Sequence, residues 1–215
     1  SDAAVRYEFE IADCSDEDRY NAKLDAISAY DGCITGPRLT ARQVREQHPD
    51  ADLIGAHWVE AVRTRDGAPV AKARWTPHGY DESDAIGEDA IAVESPTPTQ
   101  MSIKAMHVRG PRNGYVKLQY DCLHAFFKSK KRDESRNKAF MKLPRELNED
   151  GDSSVYYQRL VTDVPGTKRG ARSFYESLCE HFEEAGWIRS RTDRCLFWHP
   201  NRRGEMIIHV DDGIA

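Results

Sequence analysis

Four stretches of the chain read as helices, two of them by apolar residues that recur at helical spacing and two by their capping signals. Between Ser15 and Gly32, Tyr20, Leu24 and Ile27 form a short stripe; Ser15 with Asp18 resembles a capping box, and Gly32 can stop a helix. Thr40 and Gln43 make a similar box, which predicts a short second helix ending before Pro49. Thr99 can cap a third helix to about Val108, closed by Gly110-Pro111. The clearest pattern spans Arg172 to Ala185, where Phe174, Tyr175, Leu178, Phe182 and Ala185 share one face and Gly186 ends the run.

Other stretches read as strands. Ile54 to Arg63 and Val70 to Trp75 flank Arg65-Asp66-Gly67, whose Asp-Gly pair predicts a hairpin turn. The polar, acidic stretch from His78 to Pro98 reads as a loop. Val116–Tyr120, Ala139–Leu143 and Val155–Val161 read as single strands. Cys195–Trp198 and Met206–Val210 read as a pair around the Asn201–Gly204 turn. Lys128–Arg136 and Asn148–Ser154 are turns. This mixed order, without an internal repeat, predicts an α+β fold.

Composition narrows the class. With 215 residues, 39% of them hydrophobic, the chain can build one domain or two joined subdomains. No apolar run approaches the roughly 20 residues that span a membrane, and no signal-peptide core is visible. Five cysteines, at 14, 33, 122, 179 and 195, include no Cys-x-x-Cys, which predicts reduced thiols in an intracellular compartment. Charge is uneven: residues 1–100 hold 10 Lys/Arg against 20 Asp/Glu, and residues 101–215 hold 21 against 16. The basic half can follow a phosphate backbone, whereas the acidic half argues against a simple nucleic-acid coat.

The candidate chemistry sits where strands end in acids. Val116–Tyr120 runs into Asp121, and Met206–Val210 runs into Asp211-Asp212. Adjacent carboxylates repel, and a hard divalent cation relieves that repulsion. If the two strands are neighbours, three carboxylates converge as a two-metal phosphoryl-transfer site requires.

Several segments, in order, resemble the reverse transcriptase of copia-type retrotransposons. Trp58-Val59, Asp66-Gly67, Lys72-Ala73-Arg74 and Gly79-Tyr80 resemble W-V … D-G … K-A-R-L-V-x-x-G-F. Glu94-Ser95-Pro96-Thr97 resembles E-x-S-P-T, and Asp121 to Phe127 resembles D-V-x-x-A-F-L. Ala139 to Pro144 resembles V-Y-M-x-x-P, and Gly166 to Tyr175 resembles G-L-K-Q-A-P-R-A-W-Y. Gly186-Trp187, Ser190, Asp193 and Leu196-Phe197 resemble G-F-x-x-S-x-x-D-x-x-L-F. His209-Val210-Asp211-Asp212 resembles Y-V-D-D. The likeness runs from about Leu53 to Ala215 and weakly through residues 16–52.

The resemblance implies fingers and a partial palm of a right-hand polymerase, with an antiparallel palm sheet and packed helices: residues 1–52 a helical extension, 53–115 fingers-like, 116–215 palm-like with no thumb. It implies RNA-directed DNA polymerase activity by descent, with Mg²⁺ and a template–primer of RNA or DNA as partner. Asp121, Asp211 and Asp212 would be the catalytic, metal-binding carboxylates. Phe126 would gate the incoming sugar, Lys72 and Arg74 would meet the triphosphate, and Gly166, Lys168 and Arg172 would line the nucleotide side. His209 stands where the family has Tyr, and is expected to pack near the site rather than ligate metal. Pro165, Thr167 and Ala171 also depart from the family pattern. The sequence stops before any thumb, so residues 1–215 alone are expected not to extend a primer, and the Met206–Val210 edge is expected to be open to another chain. The rival expectation is a captured retroelement fragment that now serves as a non-catalytic structural subunit.

Overall fold

A computed structural model describes residues 9–83, 94–122, 125–132, 138–201, 204–210 and 212–214, with the backbone alone at residue 121. In chain order the elements are α1 (Asp16–Ser28), β1 (Ile34–Thr40), α2 (Ala41–Gln47), β2 (Asp52–Ile54), β3 (Ala56–Arg65), β4 (Ala68–Pro77) and α3 (Gln100–Arg112). There follow β5 (Gln119–Asp121), β6 (Ala139–Lys142), β7 (Tyr156–Leu160), α4 (Gly170–Glu184), β8 (Ile188–Arg189), β9 (Leu196–His199), β10 (Gly204–His209) and β11 (Asp212–Ile214). Helices and strands mix, as the pattern predicts, but in antiparallel and mixed sheets where an antiparallel one was expected. Among the described residues no helix is long and apolar enough to cross a membrane, and none of the five cysteines is in a disulfide.

The chain forms two compact units, Ser1–Glu82 with Asn137–Val161, and Ser83–Arg136 with Thr162–Ala215. The first interleaves the chain: β6 and β7 lie well inside the stretch 116–215, yet they complete the sheet of the first unit. That sheet runs β1-β7-β6-β2, with β2 parallel to β6 and the other pairs antiparallel. α2 has the expected Thr40–Gln43 capping box, and its buried Val44 packs with Leu39 and Phe140.

β3 and β4 form a regular hairpin through Asp66 (φ 52) and Gly67 (φ 78), both left-handed as a type I′ turn requires. The predicted single strand from Ile54 is two strands, broken at Gly55. Ser15 caps α1 by accepting from the Asp18 amide at 3.0 Å. Its apolar stripe is not core, however: Tyr20 and Leu24 are exposed. Charge docks α1 instead. Arg19 Nε lies 3.0 Å and Lys23 Nζ 3.2 Å from Glu60, and Lys23 also reaches Glu146 and the Trp58 ring. These bonds hold the Glu60 carboxyl below its ordinary pKa, although burial alone would raise it.

The second unit is a five-stranded antiparallel sheet in the order β5-β11-β10-β9-β8. Asp212–Ile214 returns as a full ladder partner of β10 and pairs on its other side with β5. The expectation of an open Met206–Val210 edge is therefore corrected: β10 is interior, and the sheet's edges are β5 and β8. α4 forms as the 3.6-residue pattern predicts. Its Tyr175 and Cys179 pack with Cys195, Phe197, Met206 and Ile208, flanked by half-buried Leu178 and Phe182. Two other expectations change. α3 continues through Pro111 to Arg112, because a proline in the last turn forfeits only one helical bond, and Gly114 (φ 69) follows the end. β5 is only Gln119–Asp121, and Val116 and Leu118 before it are exposed.

Candidate functional site

Register organises the second sheet. Strand side chains alternate between faces, so cross-strand partners fall into rows. One face carries three rows: Ile188–Trp198–Glu205, then Leu196–Ile207–Ile214–Gln119, then His209–Asp212, with the backbone of residue 121 paired to Asp212. The two strands that end in acid are not neighbours: β11 lies between β10 and β5, and it is this strand that sets the backbone of Asp212 opposite that of Asp121. Opposed residues on antiparallel strands have Cβ atoms about 4.5–5.5 Å apart. Asp212 and His209 are exposed. Asp211 lies outside the described residues.

The turn beside these acids is strained. Val210, directly after β10, has φ 56, a left-handed conformation that a β-branched residue rarely takes. Such a residue costs on the order of 1–3 kcal/mol and persists only where its surroundings enforce it. Three residues on, Gly213 is needed for a different reason. Tyr120 lies across β11, and a Cβ on Gly213 would fall 2.0 Å from its ring. The Tyr120 hydroxyl donates to Met206 Sδ at 3.4 Å, and burial, aided by Cys122, raises its pKa.

α3 lies over the acid-bearing face. Its N-cap Thr99 donates to Asp193 Oδ2 from the amide at 2.9 Å and from Oγ1 at 3.0 Å, while Asp193 Oδ1 accepts from the Cys195 amide at 2.9 Å. Burial alone would raise the Asp193 pKa, but bonds from Ser102, Thr99 and Cys195 outweigh it and hold the carboxyl below its usual range. Near its other end, Arg109 meets Glu205 at 3.1 Å. No residue of α3 is buried. Two cavities border it. One, about 340 Å³, is lined by Ile103, Met106, His107, Ile207, His209 and Asp212 among others. The second, about 430 Å³, is lined by Arg109, Arg191, Leu196 and Trp198 among others.

The remaining predicted residues are placed as follows. Lys72 and Arg74 are exposed on one face of the β3–β4 hairpin, where the register adds Arg63 and Arg65 on the same side. Phe126 is half-buried, its ring 5.7 Å from Phe174 of α4. Gly166 is exposed with φ 97. Lys168 is half-buried. Arg172 pairs with Glu176 at 2.5 Å and lies over the Tyr175 ring, so its guanidinium already has structural partners.

Sequence reasoning missed the buried pair Arg132–Asp163. Arg132 Nη1 lies 2.5 Å from Asp163 Oδ1, and Ser173 Oγ donates to Asp163 Oδ2 at 2.6 Å. It ties the basic turn to α4, and no local pattern announces a partner 31 residues away.

A hard divalent ion fits the donor chemistry of the acid row, since Mg²⁺ commonly takes one or two protein carboxylates and completes its shell with water and phosphate. Among the described residues no three His, Cys, Asp or Glu are already gathered to hold a metal. No protein-family model matches this chain, and no curated protein matches it.

Proposed function

We propose that this chain is the fingers and palm portion of a reverse transcriptase-like nucleotidyltransferase, descended from an enzyme that copies an RNA or DNA template into DNA. The observation that supports this reading best is the register that sets the backbone of Asp121 opposite that of Asp212, the first residue of β11. Asp121, Asp211 and Asp212 would hold Mg²⁺. Bound there, the metal would activate the attacking 3′ oxygen and stabilise the leaving oxygen.

The chain's own residues bind and orient. Lys72 and Arg74, exposed on the hairpin, would take the triphosphate. Phe126, braced by Phe174, would stand under the sugar. Gly166, Lys168 and Arg172 would line the nucleotide, with Arg172 held in place by Glu176. The free cysteines fit a reducing, intracellular setting.

The second reading is a non-catalytic subunit descended from the same source. The observation that favours it is α3, which lies over the same sheet face as Asp212. Two measurements separate the readings. Mn²⁺ binding followed by electron paramagnetic resonance is expected in the wild type and lost in Asp121→Asn and Asp212→Asn. Single-nucleotide incorporation on an annealed template–primer, lost in the same variants, marks the enzyme. Mn²⁺ binding without incorporation is what residues 1–215 alone are expected to show under either reading, and it marks the subunit only when a chain supplied with a thumb is inactive as well. Mn²⁺ binding indifferent to both substitutions would sink the metal site and the polymerase reading with it.

A further inference from the structure

The row at the far end of the same sheet face has a different chemistry from the acid row. Ile188, Trp198 and Glu205 stand side by side on β8, β9 and β10, with Leu196 in the next row. Trp198 is 44% and Ile188 43% exposed. An indole left that open inside a sheet face is unusual, because an aromatic side chain can remove 150–250 Å² from water. Around it the hollow of about 430 Å³ opens, with Arg109 and Arg191 among its lining residues. Glu205 is neutralised by Arg109 at 3.1 Å. Among the described residues Arg191 has no carboxylate partner.

We propose that this hollow binds single-stranded nucleic acid, with one base stacked on Trp198 and the flanking phosphates on Arg191 and Arg109. Three features select this ligand. A flat, half-exposed indole beside the aliphatic Ile188 offers a π-face to any base. Planar guanidiniums match phosphate oxygens with paired donors, and Arg191 brings a charge not already cancelled. The hollow admits a base with its sugar, whereas a stacked duplex presents no free base face to the indole. Residues 101–215, which contain the whole hollow, also carry the basic balance of the chain. The inference does not depend on chemistry at Asp121 and Asp212, which stand two rows away.

The test is fluorescence anisotropy with a labelled 20-nucleotide oligo-dT, beside the same strand annealed to oligo-dA, at two salt concentrations. Trp198→Ala is expected to weaken single-strand binding roughly five- to a hundredfold, and Trp198→Phe to keep most of it. Arg191→Ala is expected to weaken binding severalfold and to lower the slope of log affinity against log salt by about one. Duplex binding should be weaker and indifferent to Trp198. Mn²⁺ binding should survive Trp198→Ala, so that failure here is distinct from failure of the metal site. Circular dichroism checks folding, and if Trp198→Ala unfolds, Trp198→Phe and Arg191→Ala decide. Wild-type protein that binds no oligonucleotide, variants that bind like the wild type, or equal losses with strand and duplex would each overturn the proposal.

Discussion

The two faces of the five-stranded sheet are built from the same strands and behave differently. On the α4 face, Tyr175, Cys195, Phe197, Met206 and Ile208 are buried to within 4% exposure and form one cluster. On the α3 face the covering helix has no buried residue, is tied by polar contacts near its two ends, and borders two cavities. Alternation along a strand thus divides the labour. One face removes apolar surface from water and stabilises the fold; the other leaves His209, Asp212 and Trp198 exposed.

The largest expected effect tests the tight face. Phe197 is fully buried, so Phe197→Ala should cost about 3–5 kcal/mol in urea unfolding, through lost transfer energy and the cavity left behind. Met106→Ala, on α3 beside an existing cavity, should cost about 1 kcal/mol or less. Equal costs would erase the contrast between the faces.

Asp193 is the chief tie between α3 and the rest of the unit, and it is buried. Asp193→Asn should cost about 1.5–3 kcal/mol at neutral pH, because its bonds are to a charged acceptor. The sign with pH follows from the lowered pKa. The folded carboxyl is ionised further into acid than the unfolded one, so its contribution is complete above about pH 4 and fades as pH falls through the folded value. The gap between wild type and variant should therefore be full at pH 7 and narrow below about pH 4. A gap that widens in acid would show that the carboxylate is not the anchor.

Val210 sharpens the loose face at its acid end. Val210→Asn relieves a β-branched residue from φ 56 and should stabilise the protein by about 0.5–1 kcal/mol. If the strained turn also sets the geometry of the neighbouring acids, the same variant should bind Mn²⁺ more weakly. A stabilised protein with unchanged Mn²⁺ affinity would show that the strain serves no ligand.

Much of this contrast was legible before any coordinates. α4 was clear because Phe174, Leu178 and Phe182 repeat at helical spacing, and the β3–β4 turn because Asp66-Gly67 takes the left-handed backbone cheaply. What periodicity could not give was adjacency. It marked Asp121 and Asp212 as strand ends, but only the pairing of β11 with both β10 and β5 brings them opposite one another. Three residues after an acid pair look too few for a strand, yet the glycine that admits Tyr120 lets Asp212–Ile214 form one. α1 misled for the opposite reason. Its apolar stripe was visible, while the charges that dock it, Glu60 and Glu146, lie far along the chain. Trp198 was counted in a strand, and its exposure came only from its row.

The smallest expected effect is the most discriminating, because its sign changes with the solution. Asp212 stands opposite Asp121 in the ladder, and like charges in that relation destabilise a sheet by a few tenths to about 1 kcal/mol. In metal-free buffer Asp212→Asn should therefore unfold at slightly higher urea than the wild type. Adding Mg²⁺ or Mn²⁺ stabilises only the protein that binds it, and a tenfold excess over the dissociation constant contributes about 1.4 kcal/mol. The wild type should then overtake the variant, and the two stability curves should cross as metal rises. Phe197→Ala, on the other face, should shift both curves without moving the crossing. Parallel curves at every metal concentration would mean that the exposed acids are only solvated turn residues, and the open face would have to find its ligand at Trp198 alone.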